Sequence, residues 1–377
     1  MKSRLTVWEA ASIVTGYGVG GGIMAMPYLA ARNGVIMSLA ILVGSYLISL
    51  LMHFMVADLS LRAGGGQIVA VYDKFLFRGR FKKFWTLVFF IMVALVMLTT
   101  LATYITGAGE ILTEYLHIGT MWSRIIFYVA AASVVLFGLK AVGVSEKIAV
   151  SLIFVLLAVF AVASFLNIRN PLPVKPGSWN EALAFFGMAM FAFVAFFSVP
   201  QAVEGLGGDV KKIRRAIVLG FINNFAIILV VTLCSLLAST EVTPLAMLGW
   251  SDGIGTWAQV VGSSFILLAI ITTYWSISLA LSDIIRVQIK LDHRFSWLLA
   301  TFPTLLLALW NQEGFMEFMR MAGGLNAILI AILIVPTFRG ADKDGPTRML
   351  GRFASLPAQL FVVLAYIVMA IGSVVQI

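Results

Sequence analysis

Backbone groups, rather than catalytic side chains, are the most informative chemical feature of this sequence. Five glycines fall within seven positions, in the run Gly16-Tyr17-Gly18-Val19-Gly20-Gly21-Gly22. Each glycine disfavours a helix by about 1 kcal/mol relative to alanine, so a helix that enters this run is expected to break. The released N–H groups could bind a carboxylate, and the released carbonyls could bind an ammonium group or a cation. One break could therefore recognise both ends of a zwitterion.

A second interruption follows about half a chain later, at Phe196-Phe197-Ser198-Val199-Pro200. Proline suits the first turn of a helix, so we predict that a half-helix begins near Pro27 and another near Pro200. Paired broken helices are typical of secondary transporters. Two simpler interpretations stay open. The prolines could only kink continuous helices, or the glycines could form G-x-x-x-G packing pairs, Gly16 with Gly20 and Gly18 with Gly22.

Side chains for catalysis or for a transition-metal site are sparse. The three histidines, His53, His117 and His293, lie in separate regions of the sequence, and no nucleophile has an evident base. The single cysteine, Cys234, can form neither an intrachain disulfide nor a cysteine metal site. We therefore expect no enzymatic activity, no covalent cofactor and no transition metal.

Composition indicates that helices in a membrane must position the two interruptions. Hydrophobic residues make up 61% of the 377 residues and charged residues only 11%, whereas soluble domains contain about 25% charged residues. We predict an all-α integral membrane protein surrounded by lipid. Apolar runs of about 20 residues, the length that crosses a bilayer, indicate eleven transmembrane helices. They lie near residues 6–31, 35–61, 84–112, 122–139, 147–167, 181–205, 214–239, 256–285, 295–311, 315–336 and 354–376.

The distribution of lysine and arginine predicts the orientation, because cytoplasmic loops are enriched in both residues. With the N-terminus in the cytoplasm, 21 of the 26 basic residues fall on the cytoplasmic side of a cell membrane. An odd number of spans then places the C-terminus on the extracytoplasmic side. The basic residues are divided among separate loops, so the net charge of +9 does not indicate nucleic-acid binding.

The positions of the interruptions, in the first and sixth spans, predict two five-helix repeats and one extra helix. Two five-span units in series must lie in opposite orientations, as in inverted-repeat transporters. We predict the first repeat at residues 1–180, the second at 181–340 and the eleventh helix at 341–377.

Two segments carry a resemblance that covers nearly the whole chain. Residues 15–28, TGYGVGGGIMAMPY, and residues 30–34 after them resemble the first helix of the amino acid/auxin permease family. Residues 198–204, SVPQAVE, and residues 208–217, GDVKKIRRAI, are similar to the sixth helix of that family and to the loop after it. The resemblance implies the LeuT fold of the amino acid–polyamine–organocation superfamily. It also implies import of amino acids with sodium or protons.

The resemblance further implies which residues contact the substrate. In the first span these are the backbone contacts Gly16, Tyr17, Gly20 and Gly21. A tyrosine in the third span of this fold commonly meets the substrate carboxylate, and Tyr104 occupies that place. The side-chain pocket would be framed from the sixth span by Phe193, Phe196 and Ser198.

A coupling-ion site is implied between the first and eighth spans. Its expected sodium ligands are the hydroxyls of Thr272 and Thr273 and the carbonyls of Ala269, Thr15 and Gly18. Hard cations prefer several oxygen ligands, although a threonine in a transmembrane helix also often bonds its own helix. The asparagine that builds a second sodium site in some relatives is replaced by Gly22, so at most one sodium is expected. Protons are the alternative coupling ion.

Three ionisable residues are candidates for gating. Glu204 ends the half-helix of the sixth span, and Glu317 and Arg320 lie three residues apart near an outer helix end, where they could pair. The expected function is symport of neutral amino acids by alternating access, in a protein that works as a monomer. The alternative is an amino-acid sensor that keeps the carrier fold, and hydropathy alone also allows a channel.

Overall fold

The computed structural model describes residues 4–20, 22–243, 246–310, 330–342, 347 and 349–375. Those ranges contain helices and connecting turns, and no β-strand. A short 3₁₀ helix, Gly351–Ala354, precedes the last helix. The α-helices are α1 (Val7–Gly18), α2 (Gly22–Asn33), α3 (Val35–Arg62), α4 (Ile68–Phe75), α5 (Lys82–Leu116), α6 (Thr120–Leu136), α7 (Leu139–Leu166), α8 (Trp179–Ala192), α9 (Ser198–Gly205), α10 (Val210–Ala238), α11 (Ala246–Ile254), α12 (Thr256–Ile289), α13 (His293–Trp310), α14 (Ile330–Ala341) and α15 (Leu356–Val374).

Many of these helices have the length and composition of membrane spans. Six described helices are long and apolar enough to cross a bilayer, and the bent pair α1–α2 makes a seventh. Large apolar side chains such as Leu47, Leu95 and Val162 are exposed on α3, α5 and α7, where lipid would cover them. The tenth predicted span, 315–336, falls mostly outside the described residues, so the total of eleven stays a prediction.

The first predicted break is present. Helix α1 starts with a capping box, in which the Thr6 hydroxyl accepts from the Glu9 N–H at 3.2 Å and the Glu9 carboxylate accepts from the Thr6 N–H at 2.9 Å. It ends at Gly18, and α2 begins at Gly22 after a bend of 60°. The second half-helix therefore starts five residues before Pro27, which lies inside α2 rather than at its start as predicted. The glycines therefore end one helix and release its backbone, as predicted, rather than only packing against a neighbour.

The second predicted break is also present. Helix α8 begins with a capping box at Ser178 and ends at Ala192, and residues 193–197 form turns before α9 starts at Ser198. Pro200 lies in the first turn of α9, where its missing N–H costs no intrahelical bond. Both the first and sixth predicted spans are thus discontinuous, and the interpretation as kinked continuous helices is excluded.

The two breaks lie inside the helix bundle. Helix α1 contacts α7, α9, α10 and α12, and its residues from Glu9 to Gly18 are all buried. Helix α8 packs against α2, α3 and α15. Protein therefore surrounds the released backbone groups, as it must where lipid offers no hydrogen-bond partner.

Three features of the fold differ from the predicted spans. Helix α4 occupies part of the basic stretch 62–83, which the sequence indicated as a loop, and the Tyr72 hydroxyl fastens it to α14 by donating to the Ile330 carbonyl at 2.8 Å. Helix α11 precedes α12 as a separate short helix. Helix α7 begins at Leu139 rather than near residue 147, which places Glu146 inside a helix instead of before it.

Candidate functional site

A cavity opens at the break between α1 and α2. It is lined by the break itself and by α5, α12 and the end of α8: Tyr17, Gly18, Gly20, Gly22, Met97, Thr100, Thr103, Tyr104, Phe191, Ala192, Val194, Thr273 and Ile277. Three of the predicted substrate contacts, Tyr17, Gly20 and Tyr104, therefore share one cavity. Gly16 is not part of this lining, and Gly21 lies outside the described residues.

Polar groups converge on one side of this cavity. A methyl group built on Gly20 would lie 2.9 Å from the Tyr104 hydroxyl and 3.6 Å from the Thr273 hydroxyl. Glycine at this position therefore lets the backbone approach two hydroxyls from different helices. Backbone N–H groups and hydroxyls are the donors that a carboxylate needs. The rest of the lining is largely apolar, which suits a hydrophobic side chain.

Of the five expected sodium ligands, Ala269, Thr272 and Thr273 lie on α12, and Thr15 and Gly18 lie on α1, which contacts α12. The Thr273 hydroxyl donates to the carbonyls of Gly16 at 2.9 Å and Ala269 at 3.0 Å, and the Thr272 hydroxyl donates to Ala269 at 2.9 Å. The Thr15 carbonyl accepts from the Val19 N–H at 2.9 Å, and Gly18 lies at the end of α1. This group of oxygens is of the type that binds a hard cation, so the residues fit a sodium ion.

The three residues predicted from the sixth span lie apart from the cavity lining. Phe193 stacks on Phe221 with ring centroids 5.9 Å apart, and the Ser198 hydroxyl donates to the Ala195 carbonyl at 2.7 Å. Phe196 stacks on His53 at 4.8 Å. The sixth span instead contributes Phe191, Ala192 and Val194, which precede or begin the break. In this structure Phe193, Phe196 and Ser198 shape the break rather than the cavity wall.

His53 of α3 holds the second break, a role that the sequence did not indicate. Its Nε2 atom accepts a hydrogen bond from the Ala195 N–H at 2.9 Å, and its Nδ1 atom lies 2.6 Å from the Ser49 carbonyl. Because Nε2 accepts, the neutral ring must carry its proton on Nδ1 and donate it to Ser49. The buried ring thus accepts the hydrogen bond of the Ala195 N–H, which has no helical carbonyl partner at the break.

Two further buried polar side chains face the first break. A methyl group on Gly18 would overlap the amide of Asn224, and one on Gly16 would overlap the carboxylate of Glu146. Within the described residues, neither amide atom of Asn224 has a hydrogen-bond partner, and neither does Oε2 of Glu146. For Asn224 the available sequence signal was a polar residue inside a predicted apolar span, whereas Glu146 fell just before the predicted fifth span.

The gating candidates separate into two groups. Glu204 lies 3.8 Å from Arg4, at an end of the bundle where Asp283 and Arg286 also pair at 2.9 Å. Glu317 and Arg320 lie outside the described residues. No cluster of histidine, cysteine, aspartate or glutamate that could hold a metal occurs in the part of the chain that was described.

Comparison with known proteins assigns the family. The sequence model of the tryptophan/tyrosine permease family matches residues 3–376. The chain belongs to this family. Tyrosine-specific transport system 1 of Haemophilus influenzae is 26% identical over 372 residues, covering 90% of each chain. Tyrosine-specific transport system 2 of the same organism is 27% identical over 371 residues, covering 90% of this chain and 88% of the relative.

Solved structures agree on the fold. The permease superposes on Mhp1, a nucleobase-cation-symport-1 family transporter in a closed conformation with bromovinylhydantoin bound. The TM-score is 0.70 at 12% identity, over 98% of this chain and 91% of Mhp1. MhsT in complex with L-phenylalanine gives a TM-score of 0.68 at 16% identity, over 99% of this chain and all of MhsT.

These findings confirm the LeuT fold and a membrane transporter of an amino-acid permease family rather than an enzyme. The family that matches is the tryptophan/tyrosine permease family, whereas the motifs indicated the amino acid/auxin permease family, which stays a prediction.

Proposed function

We propose that this permease is a secondary active transporter of aromatic amino acids, with tyrosine or tryptophan as substrate, working by alternating access. The observation that carries the proposal is the cavity at the α1–α2 break. There, released glycine backbone and the Tyr104 hydroxyl lie beside a largely apolar lining. The tyrosine-specific relatives support the same substrate class. The proposal narrows the neutral amino acids expected from the sequence to their aromatic members.

The cavity has separate regions for the two ends of an aromatic amino acid. The α-carboxylate would lie between the backbone at Gly20 and the Tyr104 hydroxyl, which approach each other closely. The ring would extend along Met97, Phe191 and Ile277, with the hydroxyls of Thr100 and Thr103 beside it. Apolar contact with a ring supplies most of the binding free energy, and a few polar groups fix the orientation.

Coupling to a cation gradient is part of the proposal. Sodium is the coupling ion expected from the sequence, held by Thr15, Gly18, Ala269, Thr272 and Thr273, and protons are the alternative. A cation at the contact between α1 and α12 would stabilise the broken end of α1, which also lines the cavity. Cation and substrate would then favour the same arrangement of α1, which is the thermodynamic condition for coupling.

The remaining expectations complete the proposal. The protein would lie in the lipid of a cell membrane, with its N-terminus in the cytoplasm and its C-terminus on the extracytoplasmic side, because this orientation places most basic residues in the cytoplasm. The functional unit would be a monomer. On residues 15–28 and 198–204 we also propose kinship with the amino acid/auxin permeases and their superfamily. Glu204, paired with Arg4, would close the cytoplasmic end.

Counterflow in proteoliposomes tests the proposal. Liposomes loaded with unlabelled tyrosine should accumulate labelled tyrosine transiently, without any ion gradient, and unlabelled tryptophan or phenylalanine should compete. An imposed sodium or pH gradient should then drive net uptake into unloaded liposomes. Absence of exchange for every aromatic amino acid would show that the proposal is wrong. Binding without flux would instead favour a sensor.

A further inference from the structure

Glu146 is a buried carboxylate at the place where α7 meets α1 and α12. Its side chain has no solvent exposure, and Oε1 accepts a hydrogen bond from the Ser276 hydroxyl at 2.6 Å. The Ser276 hydroxyl also lies 3.3 Å from the Ile13 carbonyl of α1. The second oxygen, Oε2, has no partner among the described residues. The carboxylate is therefore only half satisfied.

The unpartnered oxygen points at the broken helix. A methyl group on Gly16 would overlap Oε2 of Glu146 and would lie 2.9 Å from Cβ of Thr272. Glycine at position 16 therefore creates the space that Oε2 occupies. The Gly16 carbonyl accepts from Thr273, so the carboxylate lies beside the same group of oxygens that fits a cation.

No charged side chain of the described residues balances Glu146. Its own helix carries Lys140, which pairs with Glu9 of α1 at 2.7 Å, and Lys147. The titratable and charged groups on the packed helices are Glu9 and Tyr17 of α1, Tyr274, Asp283 and Arg286 of α12, Glu204 of α9, Lys211, Lys212, Arg214, Arg215 and Cys234 of α10, and Arg124 and Tyr128 of α6. Asp283 pairs with Arg286, and Glu204 with Arg4. An isolated buried carboxylate is costly, so it either pairs with a cation or takes up a proton.

We propose that Glu146 is the charged ligand of the coupling-cation site, and that a monovalent cation at its Oε2 atom stabilises the broken end of α1. The proposal rests on the proposed function, because it names the residue through which coupling acts. The cation is sodium, because Oε2 lies beside hydroxyl and carbonyl oxygens of the type that a hard cation prefers. Bound there, the cation joins α7, α12 and the α1 break, and so fixes the backbone that lines the substrate cavity.

Cation-dependent stability and tyrosine affinity of the purified full-length protein test this role. Melting temperature and the tyrosine Kd are measured in sodium and in choline at one pH, and then across pH in choline. The variants are Glu146→Gln, which keeps the shape but removes the charge, and Glu114→Gln as a control, because Glu114 is exposed on α5.

Wild-type protein should gain thermal stability and bind tyrosine about 5- to 150-fold more tightly with the cation, the usual range of such coupling. Dependence on sodium at constant pH would support the proposal, whereas dependence on pH alone would overturn it. E146Q should lose the dependence, and E114Q should keep it. An E146Q protein with the wild-type sodium response would overturn the proposal, as would a wild-type protein that does not respond to sodium.

A second variant covers failure of E146Q to fold. Glu146→Asp keeps the charge but withdraws it by one methylene, so its response should persist with weaker cation affinity. Wild-type cation affinity in E146D would overturn the proposal. Counterflow of tyrosine without a gradient distinguishes failure of the proposed transport function from failure of the proposed role of Glu146. If wild type exchanges tyrosine but shows no cation response, the transport function stands and the role of Glu146 fails.

Discussion

The hydrogen bond from Ala195 to His53 should determine the stability of the second break. Replacing His53 with phenylalanine keeps a ring against Phe196 and Phe221, whose centroids lie 4.8 and 4.5 Å from the imidazole. It removes the acceptor of the Ala195 N–H and also the Nδ1 donor to the Ser49 carbonyl, which lies within α3. A buried N–H without a partner costs about 1–3 kcal/mol, which is the expected destabilisation of His53→Phe.

His53→Ala should cost more, because it also removes two ring contacts worth about 0.5–1.5 kcal/mol each. The alanine variant is therefore expected to lose about 2–6 kcal/mol in total. His53→Gln is the matched control, since its side-chain carbonyl can still accept a hydrogen bond. The expected order of stability is wild type, then His53→Gln, then His53→Phe, then His53→Ala.

Thermal unfolding of the purified protein, followed by tryptophan fluorescence with and without tyrosine, measures these differences. The break begins just after cavity residues Phe191 and Ala192 and includes Val194, so tyrosine affinity should fall in the same order as stability. A phenylalanine variant as stable as wild type would refute the reasoning, because it would show that Ala195 needs no acceptor. A glutamine variant less stable than the phenylalanine variant would refute it as well.

Three further predictions concern the first break and a loop outside the membrane. Tyr104→Phe should weaken tyrosine binding about 10- to 150-fold, because a hydrogen bond to a charged group contributes about 1.5–3 kcal/mol. Unchanged affinity in calorimetry would show that Tyr104 does not contact the substrate carboxylate. Gly18→Ala should abolish tyrosine binding, because the new methyl group would collide with the Asn224 amide. The double variant Gly18→Ala/Asn224→Ala removes that amide and should recover part of the tyrosine affinity. A double variant that binds tyrosine no better than Gly18→Ala would contradict the steric explanation. Asp209 accepts from the N–H groups of Lys212 and Lys211 at the start of α10, and these bonds lower the pKa of its carboxyl. A lowered pKa means that its stabilisation is present above about pH 4 and is lost as the pH falls through the lowered folded-state pKa. Asp209→Asn can still cap the N-terminus of α10 but does not titrate, so the melting temperature of this variant should lose the part of its pH dependence that comes from Asp209. A wild-type pH profile in this variant would show that Asp209 does not cause it.

The two breaks could be predicted from sequence because their causes are local. The run Gly16–Gly22 cannot sustain a helix without strong support from packing, and Pro200 suits a first helical turn, where its missing N–H breaks no hydrogen bond. Proline alone does not decide where a helix starts, since Pro27 and Pro303 lie inside α2 and α13. The structure shows α1 ending at Gly18 and α9 starting at Ser198. The local preferences of glycine and proline were therefore enough to predict that two helices are broken. The division into repeats at residues 180 and 340 depends on long-range symmetry and stays a prediction.

The partners of the breaks could not be predicted, because they are distant in sequence. His53 and Ala195 are 142 positions apart, and Glu146 and Ser276 are 130 positions apart. No periodicity or motif pairs such residues. Glu146 was also hidden by a boundary: the predicted fifth span started at residue 147, whereas α7 starts at Leu139. Phe193 and Phe196 show the opposite difficulty, since nothing local distinguishes a phenylalanine that lines a cavity from one that packs behind it.

The same physical requirement links these unpredicted residues. A helix broken inside a membrane protein releases N–H and carbonyl groups that neighbouring helices must satisfy. The Thr273 hydroxyl of α12 donates a hydrogen bond to the Gly16 carbonyl, and His53 of α3 accepts one from the Ala195 N–H. Each break is thus held by a helix that is remote in sequence. A cation or substrate that competes for these groups would change how α1 is held against α12, which gives ligand binding a direct route to movement of the helices around the cavity.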